Sequence, residues 1–309
     1  MKTHVKTHES VAHPDLLELR DTLASELGKH GVAILPPLDI EVSSRLLLSL
    51  GFHAQCCVLD PWYNKGVGGV RDDYDDYLPQ LLRFVAPLSD HVFLWGFPEI
   101  VARFVRMLPE PLTLKCWLTW FYKNSPSRIR GWRSAQMTCL HLTTPNAVMH
   151  VENFLNDVQR EKMQQGKLLY IPGPPSVIEE SLLCGFVGKK EQTGHPSQKP
   201  LSVIEKTLLM ATARGELAID LMSGSGTTGE ACMANERFAV LCDISEEYTR
   251  IAEERLGIAR IEIDDSLLAL LSAAEHRLPY EGVALPAKHP RPAAPRLQSR
   301  LNQLDLEMQ

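Results

Sequence analysis

Leu217-Ala218-Ile219-Asp220-Leu221-Met222-Ser223-Gly224-Ser225-Gly226-Thr227-Thr228-Gly229 is the stretch from which the architecture can be read. The apolar run Leu217 to Leu221 is short and bounded by glycines, which predicts a buried strand. The glycines permit a sharp turn and a close approach of main chain to ligand, and a helix is expected from near Thr227. A strand, a glycine turn and a helix in that order bring a ligand against bare backbone at the strand's carboxyl end, as in Rossmann-like sheets. Asp243 closes the next apolar run, Phe238 to Leu241, 23 positions after Asp220. An acid there can accept hydrogen bonds from ribose hydroxyls. No Lys follows the glycines, so a Walker-type phosphate loop is excluded. Gly224, Gly226 and Gly229 have the GxGxxG spacing, but with Thr-Thr inside it. The turn alone predicts a nucleoside-containing cofactor and leaves a plain structural turn as the other reading.

Outward from this unit, apolar strands alternate with helices. Strands are expected at Val32–Leu35, Cys56–Leu59, His91–Trp95, Leu114–Phe121 and Met137–Leu142. Helices are expected at 15–29, 40–50, 98–107, 201–213 and 246–256, and at 74–86, where Pro79 argues for a kink or a late start. Such alternation predicts a parallel, doubly wound α/β sheet with helices on both faces. Residues from about Thr143 to Gly194 are less regular. Beyond about Ala284 the prolines at 286, 290, 292 and 295 predict a disordered tail.

The chain has 309 residues, 44% hydrophobic and 23% charged, which is ordinary for a globular protein with a sizeable core. No apolar run reaches the ~18 residues of a membrane span, and Met1-Lys2-Thr3-His4 does not open a signal peptide. The seven cysteines form no CxxC pair, so neither a disulfide framework nor a metal site is suggested, and a reducing cytoplasm fits best. The formal net charge of -6 weighs mildly against nucleic-acid binding, yet binding depends on a local patch. Lys123, Arg128, Arg130 and Arg133 lie in a run without acids, which can be a solvated loop or a set of phosphate contacts.

Two further segments carry chemistry. In Asp60-Pro61-Trp62-Tyr63 a strand delivers an acid, a rigid proline and two aromatics into a loop. As a functional unit this suits a pocket for a flat heterocycle, with Tyr63 stacking and Asp60 and the Pro61 carbonyl accepting from its amino group. As a bland one it is a strand end with surface aromatics. Gly194-His195-Pro196-Ser197-Gln198-Lys199-Pro200 precedes a helix and taken alone is a loop with a helix-starting proline.

Together, and in this order, the three segments resemble the beta-class family of DNA amino-methyltransferases, specific for adenine N6 or cytosine N4. That family carries an Asp-Pro-Pro-Tyr-type catalytic motif, then a His-Pro-Thr-Gln-Lys-Pro-type motif, then an Asp-Pro-Phe-x-Gly-Ser-Gly-Thr-Thr-type cofactor turn. Phe93-Leu94-Trp95 and Trp120 to Pro126 are similar in character to its middle motifs. Trp62 stands where the second proline is usual, Ser197 replaces Thr, and Asp220-Leu221-Met222-Ser223 lacks the proline and aromatic. The family's acid near the start of the chain has Asp39 as counterpart, which equally suits a helix cap.

The resemblance implies a single Rossmann-like S-adenosylmethionine-dependent methyltransferase domain, mostly parallel, with circularly permuted motif order. Its expected limits are 32–256: a catalytic half at 32–142, a short target-recognition segment at 143–194 and a cofactor half at 195–256. A helical extension at 1–31 and a C-terminal extension at 257–309 flank it. Implied roles are catalysis for Asp60, Pro61 and Tyr63, with Trp62 in the base pocket. Ser197, Lys199, Asp220, Ser223, Gly224, Gly226 and Thr227 would line the cofactor, and Asp243 would hold its ribose. No metal is needed. The implied partner is double-stranded DNA, methylated at adenine N6; cytosine N4, RNA or a protein glutamine are the alternative targets. A homodimer and a cognate restriction endonuclease are further partners the sequence leaves open.

Overall fold

The computed structural model describes residues 14–61, 72–125, 132–170 and 172–273. In chain order the elements are α1 (Pro14–His30), β1 (Val32–Ile34), α2 (Ile40–Ser49), β2 (Ala54–Leu59), α3 (Tyr74–Val85), β3 (Ser89–Gly96) and α4 (Pro98–Val101). Then come β4 (Thr113–Phe121), β5 (Gln136–Thr143), α5 (Asp157–Gln164), β6 (Val177–Glu179) and α6 (Leu201–Ala211). The chain continues through β7 (Leu217–Asp220), α7 (Thr227–Ala234), β8 (Phe238–Leu241), α8 (Glu246–Leu256) and α9 (Asp265–Ala273). The chain up to Leu271 forms one compact unit; of a second, Ser272–Gln309, only the last two residues of α9 are described.

The eight strands form one sheet in the order β1-β8-β7-β2-β3-β5-β4-β6. Five of the seven pairings are parallel, and β5 runs antiparallel to both its neighbours. From β2 the chain winds outward through β3, and from β7 it winds the other way through β8. The β2–β7 boundary is therefore the point where the winding reverses, the place where open α/β sheets bind ligands.

Successive strand residues feed two cores, as a two-residue period requires. Ala33, Cys57, Leu59, Val92, Leu94, Ile219 and Val240 pack with α1, α2 and α3. Val32, Ile34, Cys56, Val58, Phe93, Trp95, Ala218 and Leu241 pack on the other face with α6 and α7. Ile261 and Leu267, beyond α8, join the first of these cores. Cys56, Cys57, Cys139, Cys232 and Cys242 are free and buried, filling the core as small apolar residues.

Several local expectations hold, among them Gly31 past the end of α1 with φ +76° and the limits of β8 and α8. Three need correction. Pro79 lies inside α3 without ending it and is itself buried, so packing of the apolar face outweighs the missing N–H. The helix expected over 98–107 is only the single turn α4, followed by a 3-10 turn at Phe104–Arg106. The irregular stretch after Thr143 contains α5, started by a capping box between Asn156 and Gln159, and the edge strand β6. Asp39 is the N-cap of α2, its carboxylate accepting from Glu41 N at 2.8 Å.

Candidate active site

Three adjacent parallel strands each deliver an acid at the carboxyl edge of the sheet. β7 ends on Asp220, β8 leads to Asp243, and β2 leads to Asp60. Val58 is the register partner of Asp220, so Asp60 lies two residues beyond that pairing.

Asp220 and Asp243 organise the glycine turn. Asp220 Oδ1 accepts from Met222 N at 3.2 Å and Oδ2 from the Thr228 hydroxyl. Asp243 Oδ2 accepts from Gly224 N at 2.8 Å and Oδ1 from Ser245 N at 2.9 Å. Burial pushes the Asp220 carboxyl up to about 7, with Asp60 and Asp243 adding to the rise. The Asp243 carboxyl is also raised by burial, against the pull of its N–H donors. Ser223 N donates to Cys242 O at 2.9 Å, which ties the turn to the strand-end beside it. Gly224 has φ +49° and Gly226 φ +75°, conformations in which a side chain is strained. A Cβ on Gly224 would lie 3.0 Å from His195 Nε2, and one on Gly226 would lie 3.0 Å from Ala252 Cβ. Thr227 begins α7, donating to the carbonyl of Lys199 at 3.3 Å and accepting from Arg255 at 2.8 Å.

The Gly194–Pro200 loop joins the two halves of the site. Its His195 ring meets Tyr248 edge-on, with centroids 4.3 Å apart, and accepts from Ser197 N at 3.2 Å. Burial pushes the His195 imidazole below its usual range, against the pull of Asp60 and Asp243, which favours the neutral ring. Ser197 itself is exposed. The Lys199 ammonium is in contact with Asp60 Oδ2 and lies 5.2 Å from the centre of the Trp95 ring. Pro61 is buried; Trp62 and Tyr63 lie outside the described residues.

Residues 55–254 match the profile of the family described as DNA methylase, which is well over half the chain. The chain belongs to the beta-class DNA amino-methyltransferase family. It is 25% identical to the type II methyltransferase M.HpaI of Haemophilus parainfluenzae over 64% of this chain and 67% of that one. M1.MboII of Moraxella bovis is 24% identical over 64% of this chain and 87% of its own length. The DNA adenine methyltransferase YhdJ of Escherichia coli is 32% identical, but over only 22% of this chain and 24% of that one. In fold, the methylase matches the M1.HpyAVI–SAM complex with a TM-score of 0.58 and 21% identity, over 74% of this chain and all of that one.

The methylase family's methyl donor is S-adenosylmethionine, and the residues at the glycine turn suit it. Gly224 keeps main chain against the His195 ring and Gly226 lets the turn pack closely on Ala252 and Leu256 of α8, two approaches that a Cβ would obstruct. Each Asp243 oxygen keeps a second lone pair beside its N–H donor. Asp220, with both oxygens engaged inside the turn and 4% exposure, shapes the glycine turn from behind.

Sequence reasoning passed over His195 and Trp95 as chemistry. A His between Gly194 and Pro196 gives no local signal, and although Phe93-Leu94-Trp95 resembles a middle motif of the family, nothing in it says that Trp95 faces a cation. Of the basic run, Lys123 pairs with Glu179 of β6 and Arg133 is exposed. Arg128 and Arg130 lie outside the described residues. Among the described residues, no helix is long and apolar enough to cross a membrane.

Proposed function

We propose that this methylase transfers a methyl group to the exocyclic N6 amino group of adenine in DNA, with Asp60, Pro61 and Tyr63 at the reacting base. The observation that carries the reading is the place of Asp60: at the winding reversal, one strand away from the glycine turn. The motif's first residue is Asp, which in the resembling family usually accompanies adenine, whereas Ser accompanies cytosine. YhdJ, a DNA adenine methyltransferase, supports the same choice.

An aromatic amino nitrogen is a poor nucleophile because its lone pair is delocalised into the ring. Acceptance of its N–H groups by the Asp60 carboxylate and the Pro61 carbonyl favours a tetrahedral nitrogen and frees the lone pair. That preference grows toward the transition state and so lowers the barrier. Tyr63 stacks on the extruded base, whose removal from the duplex costs a few kcal/mol. S-adenosylmethionine, when bound, would supply an electrophilic methyl on its sulfonium; the methyl–sulfur bond would break as the N–C bond forms, S-adenosylhomocysteine would be the leaving group, and the methylated nitrogen would then give up one proton to water. Asp243 holds the cofactor's ribose, and Ser223, Gly224, Gly226 and Thr227 lie along it.

The 143–194 segment is the part assigned to DNA recognition. Leu169 and Phe186 are each 93% exposed there, and Lys189 and Lys190 follow Phe186. Exposed aromatic and cationic side chains together suit a nucleic-acid surface.

The test is methyl transfer from labelled S-adenosylmethionine to DNA, followed by nucleoside digestion and mass analysis. N6-methyladenine is the expected product. Label in methylcytosine alone refutes the adenine assignment and keeps the enzyme class; label confined to RNA or protein overturns the DNA reading.

A further inference from the structure

Lys199 is not placed like an ordinary lysine. Its side chain is 4% exposed, although lysines are almost never fully buried without a partner. Its main chain is tied down on both sides: the carbonyl accepts from Thr227, and Pro200 is the N-cap of α6. Its ammonium is in contact with Asp60, 139 positions earlier, and stands over the ring of Trp95, which is fully buried on β3. The sequence resemblance puts Lys199 beside the cofactor. In the structure it reaches across the winding reversal and holds the acid assigned to the target base.

We propose that Lys199 is a positioning residue for Asp60: its ammonium fixes the Asp60 carboxylate, and the Trp95 indole face supports the ammonium from below. The inference rests on the proposed role of Asp60 and deepens it. A carboxylate at a strand end turns about its own side-chain bonds. To accept an amino N–H in one direction it needs a fixed plane, and a misplacement of about 1 Å at a reacting centre costs ~100-fold in rate. A buried ammonium in contact with one oxygen supplies that plane. An electron-rich ring under the ammonium stabilises the cation where water is scarce. β2, β3 and the loop before α6 thus each contribute one member of an Asp60–Lys199–Trp95 chain, which assembles only when the two halves of the sheet are joined.

The two placements of Lys199 make opposite demands, so full-length Lys199→Met, Lys199→Arg and Trp95→Phe separate them. For each, kcat is measured at saturating cofactor and DNA, and S-adenosylmethionine affinity is measured by calorimetry without DNA. Lys199→Met should lose about 100-fold in kcat while cofactor affinity stays within ~3-fold. Lys199→Arg should recover at least ~10-fold of that loss, since it restores a cation in contact with the carboxylate. Trp95→Phe, with a weaker ring face, should lower kcat by a smaller factor at unchanged cofactor affinity. If Lys199→Met does not fold, full-length Lys199→Gln takes its place and is read together with Trp95→Phe. A wild-type kcat in both then overturns the inference. So does a cofactor affinity reduced tenfold or more with kcat retained, which would assign Lys199 to the cofactor. A wild-type enzyme that methylates no DNA overturns the proposed function, and this inference with it; an active wild type beside unimpaired variants overturns the inference alone.

Discussion

The glycine turn and Asp60 at the end of β2 sit at the same edge of the same sheet and are held in opposite ways. In the turn, acids and donors are close in sequence. Asp220 is two residues from Met222 and eight from Thr228, Asp243 is two from Ser245 and 19 from Gly224, and Arg255 reaches Thr227 over 28 and Ser225 over 30. These links all stay within β7, α7, β8 and α8 and the short segments between them, on one side of the winding reversal. Asp60 is in contact with a partner 139 residues away. The Asp60 site exists only after the sheet has closed around its winding reversal. Cofactor binding and base chemistry should therefore respond to different residues.

The largest break in that comparison is Asp60→Ala. Removing a group that acts on the transition state should cut transfer by at least ~100-fold. Cofactor affinity, which the proposed function assigns to the glycine turn, should stay within a few-fold. A parallel loss of both in calorimetry and methyl-transfer assays would merge the two regions into one functional unit.

Next in size is the reverse experiment on the turn. Asp243→Ala leaves Gly224 N and Ser245 N without their acceptor, and a buried unpaired donor costs about 1–3 kcal/mol. S-adenosylmethionine affinity should fall by ~10–100-fold by the same principle, with kcat at saturation less affected. Gly224→Val should act in the same direction. Its Cβ meets the His195 ring at 3.0 Å, and φ +49° is strained for a branched residue. An unchanged affinity in a folded Gly224→Val protein would remove the turn from the cofactor site.

The same contrast explains what could be read from the chain before the structure. β7, the turn, α7, β8 and α8 are legible because their signals are local: short apolar runs bounded by glycines, and helical periodicity after them. The three-motif resemblance also reaches Asp60 correctly as a strand-end acid. The environment of Asp60 was hidden, because no pattern in 194–200 says that Lys199 points at β2 and Trp95. The helix expected over 98–107 is cut short. After Val101 the chain passes into a 3-10 turn at Phe104–Arg106, in which Phe104 is fully buried. Pro79 shows packing overruling a local signal in the other direction.

A smaller effect separates Asp220 from a surface acid. Its folded pKa, about 7, lies above its value of roughly 3.9 in an unfolded chain. A raised acid favours the protonated native state. Its contribution to stability is complete below pH ~4 and is lost as pH rises through about 7. Asp220→Asn carries no such titration. The stability of wild type relative to Asp220→Asn, from denaturant unfolding, should decline between pH 4 and 7 and level off above. A difference independent of pH would mean that Asp220 is ionised throughout, held by its Met222 and Thr228 donors.

The smallest expected effect lies outside both regions, in the basic run. Lys123 pairs with Glu179, and both side chains are largely exposed, at 70% and 61%. An exposed pair of this kind is worth about 0.2–1 kcal/mol, so exchanging Glu179 for a phosphate costs Lys123 little. Arg133 is exposed beside Trp132, itself fully exposed, which leaves it open to a duplex. If both residues touch phosphates, each lost contact should flatten the dependence of log affinity on log salt by about 0.9. Lys123→Gln with Arg133→Gln should therefore weaken binding to all DNA sequences alike and reduce the slope by nearly two. Glu179→Gln should leave the slope in place and strengthen binding slightly, because it releases Lys123 from its partner. A double variant with wild-type slope would make this run a solvated loop and leave phosphate contact to the 143–194 segment. There Lys189 and Lys190 follow the exposed Phe186, and the same salt titration on their glutamine variants would locate it.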